Sequence, residues 1–221
     1  MSRRGLTDDQ VWVELRERAR RIYDTHGHTV VPRGMSLANE LRAAAETLGV
    51  FPPREHDPAV ELMFRAEILH AFGDYVTAAY SVREQVETLI GKRRKLLSAQ
   101  DAEVTRALDD ALTKHNDEPS NVAIYATSNV VRHDIRPNTI NTVTSYTMVG
   151  DGHAEVSVTV RLGMAGLMGG QGWTDAARNY VGTGGQLEIL PLLDQHLLSL
   201  SGLVTFVTTS IHEEFRRTGR R

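Results

Sequence analysis

The chain has no cysteine in 221 residues, so disulfides and thiolate metal sites are excluded, which suits a cytoplasmic protein. It has no excess of one charge either. A formal net charge of −3 gives no overall pull toward nucleic acid or anionic lipid. It has no long unbroken apolar run. The most apolar window, Leu187 to Val207, is interrupted by Glu188, Pro191, Asp194, Gln195 and His196, so no membrane span and no membrane partner are expected. Met1 to Gly5 carries two arginines with no apolar stretch behind them, unlike a secretory signal. What remains is ordinary globular composition, 41% apolar and 24% charged. A chain of this size buries roughly 70% of the surface its unfolded form exposes.

Catalytic signatures are also lacking. Gly163, Gly166, Gly169, Gly170, Gly172, Gly182, Gly184 and Gly185 lie between a strand pattern and a helix pattern, where backbone amides can meet phosphate. No P-loop lysine follows them, and the third glycine of a dinucleotide fingerprint is missing. Met164, Leu167, Met168 and Trp173 make this loop apolar, which fits docking on a neighbouring surface better than cradling a phosphate. Ser128, His133 and Asp134 are near one another, but no glycines frame a nucleophilic serine. Ala123 to Asn129 resembles the sensor strand of AAA-type ATPases, with no Walker lysine before it. The stretch from Trp12 to Leu37 resembles the helicase-associated repeat, with no motor motif in company. His26 and His28 with Asp24 have metal-ligand character but no second cluster to complete a site, and Gly27 and Pro32 read as a turn between two helices. No catalytic residue, metal or cofactor is assigned.

What the chain does have is helical period. Ile68, Phe72, Tyr75, Ala79, Val82, Val86 and Leu89 step by 4, 3, 4, 3, 4 and 3 residues, one apolar seam repeating every 3.5 residues. Asp57 is placed to cap this helix and Pro58 suits its first position. Lys92, Arg93, Arg94 and Lys95 set cations against its negative pole. Running from 58 to 97, it measures about 60 Å. Leu193, Leu197, Leu200, Val204, Val207 and Ile211 form a second seam with steps of 4, 3, 4, 3 and 4, although Leu203 to Thr209 has strand-forming composition. The unbroken period favours helix there.

The other elements follow in order. Thr7 and Gln10 have capping-box spacing ahead of a helix from Asp8 to Tyr23. Ser36 is read as the cap of a second helix, with Leu37, Leu41, Ala44 and Leu48 on one face and Gly49 at its end. Val50 to Pro53 reads as an extended connector, and Ser98 to Asp101 as a break before a helix from Ala99 to His115. Asn116 to Ser120 reads as a linker. Behind it Asn121 to Thr127 and Ile140 to Val149 have the composition of strands, with a turn at Arg136 to Asn138. Gly150 to Gly152 turns the chain into Val156, Val158, Val160 and Leu162, which alternate with polar residues. Thr174 or Asp175 caps a short helix through Tyr180.

The expected fold is α+β: a helical region at 1–117 with the long helix at 58–97, a β-rich segment at 118–186 with the glycine-rich loop, and a C-terminal helix with a basic tail at 187–221. The expected function is a non-enzymatic structural or interaction protein. It self-associates through Ile68, Phe72, Tyr75, Val82, Val86, Leu89, Leu193, Leu197, Leu200, Val204 and Val207. Met164, Leu167, Met168 and Trp173 serve as a docking loop. Its partner is another copy or another protein, in the manner of viral or phage assembly components. Two alternatives stand behind this. One is a nucleic-acid-associated protein using Arg16 to Arg21, Lys92 to Lys95 and the arginine tail, a partner less favoured because Glu14 and Glu17 interleave the first cluster. The other is a nucleotide-binding enzyme with its site at the glycine loop.

Overall fold

Helix formation begins where the capping chemistry asks for it. In the computed structural model, which describes residues 7–48, 58–97, 102–131, 140–148, 154–163, 175–181 and 186–217, Thr7 caps α1 (Asp8–Thr25). The Gln10 amide donates to Thr7 Oγ1 at 3.4 Å, and the Thr7 amide donates to Gln10 Oε1 at 2.9 Å. The helix does not end at the histidines. It passes through a π-helical turn (His26–Val30), in which the Val31 amide donates to the His26 carbonyl, straight into α2 (Val31–Leu48). The expected turn at Gly27 and Pro32 and the expected helix start at Ser36 are therefore corrected. Pro32 offers no amide and its ring crowds the carbonyl four residues back. The wider π turn lies just where that carbonyl sits.

The long helix is present as α3 (Pro58–Leu97), 40 residues with proline at its first position. Next come α4 (Ala102–Asp117) and α5 (Pro119–Val131), with only Glu118 between them in place of the expected linker. The strand expected at Asn121 to Thr127 is corrected to helix. Pro119 starts the helix, Ala123, Ile124, Ala126 and Thr127 are buried at helical spacing, and the Thr127 hydroxyl donates to the Ala123 carbonyl at 2.6 Å. Burial of one helical face outweighs the local preference of Val, Ile, Tyr and Thr.

The hairpin stands as β1 (Ile140–Met148) and β2 (Ala154–Gly163), antiparallel in one unbroken register from Ile140 opposite Leu162 to Met148 opposite Ala154. A short strand not expected from the sequence, β3 (Gln186–Glu188), pairs antiparallel with the end of β2 and makes the sheet order β1-β2-β3. Between them lies α6 (Asp175–Val181), and α7 (Ile189–Arg217) is helical throughout, Leu203 to Thr209 included. The described chain is thus mostly helical with a small antiparallel sheet. Asp57, Val50 to Pro53, Ser98 to Asp101, Arg136 to Asn138, Gly150 to Gly152, Met164 to Thr174 and Arg220 to Arg221 lie outside the described residues.

Two compact units divide the chain, and neither is a continuous stretch. One takes residues 1–31, 78–118 and 198–221; the other takes 32–77 and 119–197. In the first, α3 reaches each neighbouring helix through a polar contact. Lys92 meets Glu14 of α1 at 3.0 Å, Arg83 donates to Asn116 of α4 at 3.0 Å, and Arg93 donates to Glu214 of α7. The core carries Leu15, Val82, Val86, Leu89, Leu108, Val204 and Ile211. In the second, Arg33 of α2 donates to the Asp74 carbonyl of α3 at 3.0 Å. Gly34 lets α2 approach closely, since a Cβ there would sit 3.3 Å from the Tyr75 ring and 3.5 Å from Leu197. Its core holds Leu37, Leu41, Ile68, Phe72, Tyr75, Ile124 and Leu162.

By length and apolar composition α7 would pass for a membrane span, a test that core helices of folded domains also pass. Leu192, Leu193, Leu200, Leu203, Val204, Val207 and Ile211 are buried in the chain itself, as are His196, Thr208 and Glu214. That is the pattern of an amphipathic helix, one face packed and the other open.

Candidate functional site

The seam residues lie inside the chain. Ile68, Phe72, Tyr75, Val82, Val86 and Leu89 are fully enclosed, and so are Leu193, Leu200, Val204 and Val207; Leu197 is half-buried. Met164, Leu167, Met168 and Trp173, together with His133 and Asp134, lie outside the described residues.

The basic clusters are largely engaged with carboxylates. Lys92 pairs with Glu14, Arg94 with Asp109, and Arg93 is buried against Glu214 with Thr105 taking a further guanidinium hydrogen. A hydrogen bond from Lys92 is the leading reason that the Glu14 carboxyl is held below its usual range, with Arg18 adding a second. In α1, Arg18 bonds Glu14 at 2.9 Å, Arg20 meets Asp24 at 3.7 Å, and Arg16 lies 4.8 Å over the Phe215 ring. Arg18 and Arg21 also border a groove of about 440 Å³ between α1 and α3, where Glu84 sits among Ser81, Gln85 and Thr88. A carboxylate at that position works against an anion.

Among the described residues, three buried histidines, His26, His115 and His196, partner hydroxyl groups. His28 Nδ1 bonds the Asp24 carbonyl at 2.8 Å, while His26 is buried with Nε2 at 3.1 Å from the Ser201 hydroxyl. The pair therefore engages different partners, and among the described residues no three His, Asp or Glu side chains gather as a metal site requires. In the second unit His196 is fully buried, shares a 2.7 Å hydrogen bond with the Tyr75 hydroxyl, and takes the Tyr125 ring edge-on at 5.1 Å. Burial pushes the Tyr75 phenol well up, so it stays protonated. None of the pairings with hydroxyls was visible in sequence, because the partners lie on different helices.

His115 and Ser199 have the look of a catalytic dyad. Their Nδ1 and Oγ are 2.8 Å apart, beside a cleft of about 280 Å³ lined also by Lys114, Leu198, Leu203 and Phe206. The chemistry stops there. Ser199 lies inside α7, where the backbone amides are already spent on the helix ladder and cannot steady an oxyanion. Burial, and then the Arg83 charge, holds His115 down at about 4, so it is neutral near pH 7 and a weak base.

Protonation of His115 has a consequence for stability. Between the ordinary histidine value of 6.5 and about 4 the unfolded chain binds a proton that the folded chain refuses. The His115 contribution to stability is fully present above pH 6.5 and is lost as pH drops toward 4, on the order of 3 kcal/mol. Buried His26 is lowered in the same direction. Urea unfolding of His115→Gln across this range is expected to show a flatter profile than the unaltered chain. Parallel profiles would mean that His115 is not buried neutral.

Large apolar side chains stay exposed on several helices, Val13 and Tyr23 on α1, Met35 on α2, and Leu62 and Met63 on α3. On the outer face of α7 Leu198 is 77% exposed and Phe206 43% exposed, with Gly202, Thr205 and Thr209 exposed along the same strip. Together these features define a mostly helical α+β protein with an apolar strip on the outer face of α7. Compared with protein families, with characterised proteins and with solved structures, the chain matches none.

Proposed function

We propose that this chain is a non-enzymatic structural or interaction protein that self-associates through the outer face of a heptad-patterned helix, the seams themselves being enclosed by its own chain. The observation that carries the reading is the exposed apolar strip on α7, where Leu198, 77% exposed, projects from a helix whose opposite face is packed in a core. Assignment to a viral or phage assembly is the finer part of the reading. It rests on analogy, a long helix combined with a β-hairpin, and on no residue motif. The test is the native mass of the full chain over a wide range of concentration. Higher oligomers, or capture of a defined partner, are expected, and a strict monomer with no partner would refute the proposal.

The nucleic-acid alternative is disfavoured because Lys92, Arg93 and Arg94 already face carboxylates. Freeing those cations for phosphate would break contacts that hold α3 to its neighbours. Retention on duplex DNA is therefore expected to be weak at physiological ionic strength and to vanish with modest added salt. Tight binding that Lys95→Ser together with Arg21→Ser abolishes, at unchanged folding, would restore the nucleic-acid alternative.

A further inference from the structure

We infer that α7 pairs with α7 of a second copy, antiparallel, about a two-fold axis passing between Thr205 and Phe206. This rests on the self-association proposed above and names its surface. One shallow groove runs along the helix from Leu198 to Glu213, and its lining maps onto itself when reversed about that axis. Residue 205 faces 206, 202 faces 209, 201 faces 210 and 198 faces 213. An isologous interface needs that self-correspondence. Gly202 and Thr209 are small on either side of Phe206, and a Cβ at Gly202 would meet nothing within 4 Å in its own chain. A second helix can therefore come close, with the two Phe206 rings at the centre of the buried surface.

Charge decides the partner and its direction. Arg93 donates to both Thr105 and Glu214, and His115 meets Ser199, so α4 runs antiparallel beside α7. Lys114 and Glu118 accordingly flank the Leu198 end of the strip, whereas Glu213 and Arg216 lie at its other end. The two-fold brings Glu213 of the second copy toward Lys114 and its Arg216 toward Glu118, opposite signs at both places and repeated by symmetry. Parallel pairing would set Glu213 on Glu213 and Arg216 on Arg216, a like-charge arrangement that disfavours it. Leu198 covers the aliphatic stem of the facing Glu213 in the antiparallel arrangement.

Sedimentation of the full chain across concentration tests the pairing. Leu198→Glu and Phe206→Glu alter exposed positions, so circular dichroism should be unchanged while self-association weakens by roughly thirtyfold or more. Glu213→Lys should weaken it as well, and adding Lys114→Glu should restore it. The chain lacks cysteine, so paired variants report direction cleanly. Gly202→Cys mixed with Thr209→Cys should give the mixed disulfide under gentle oxidation, and Gly202→Cys alone should link poorly. Efficient linking of Gly202→Cys to itself means parallel pairing and overturns the inference. Oligomers that survive both glutamate variants place the contact elsewhere and overturn it while leaving self-association intact. A wild-type chain that stays monomeric removes both.

Discussion

Replacing Glu214 by alanine is expected to destabilise the first unit by about 3–5 kcal/mol, the usual loss when one partner of a buried ion pair is removed. Arg93 is 1% exposed, and its Nε donates to Glu214 Oε2 at 2.7 Å while a second guanidinium nitrogen donates to Oε1. The fork is matched by a fork, and Thr105 takes a further hydrogen. With the carboxylate gone, the guanidinium cannot shed its charge and has no water to turn to. The contact joins α3 to α7 across 121 positions of sequence, so its loss also loosens the packing of both long helices in that unit. Chemical denaturation followed by far-ultraviolet dichroism measures the change in midpoint. The double variant Arg93→Met with Glu214→Leu should recover most of the loss, because an apolar pair of similar volume needs no compensating charge. A loss below about 1 kcal/mol in the single variant would mean that water reaches Arg93 and that the pair is a surface one.

Val82→Asp is expected to do still more. Val82 is wholly enclosed near the middle of α3, as are Ala79, Val86 and Leu89 of the same seam. An aspartate there must either be buried charged or take up a proton, and both routes cost several kcal/mol. Because the chain's own helices enclose the seam, the loss should register as unfolding in dichroism and thermal melts, not merely as a fall in mass. That separates it from Leu198→Glu, which should change mass and leave dichroism alone. Wild-type behaviour of Val82→Asp in both measurements would mean that the seam is open to water.

The sequence by itself determined the long helices, the hairpin and the first cap. Those signals are local and repeated: a 3.5-residue period through Ile68 to Leu89 and Leu193 to Ile211, alternation through Val156 to Leu162, and reciprocal capping at Thr7 and Gln10. Repetition lets many weak preferences add. It also chose helix over strand at Leu203 to Thr209, where composition pointed the other way. At Asn121 to Thr127 the same contest was lost, because seven residues are too few for a period to declare itself. There the buried face of α5, supplied by distant parts of the chain, made the decision.

Tertiary structure alone decided the rest. Gly27 and Pro32 carry the local signs of a turn, yet a π turn keeps the helix whole, an outcome that depends on what His26 and Val30 are buried against. The three-residue β3 has no pattern of its own and exists because β2 offers it an edge. Arg93 read as one cation among four at a helix end, but partners from α4 and α7 turn it into a buried ion pair. His115, His196 and His26 are likewise given their roles by hydroxyls far along the chain. Which stripe of α7 faces inward is set by such long-range partners, since Leu198 and Leu200 are the same residue type two positions apart. One is left outside and the other is enclosed because a helix turns about 200° over two residues and only one side of α7 finds a core to enter.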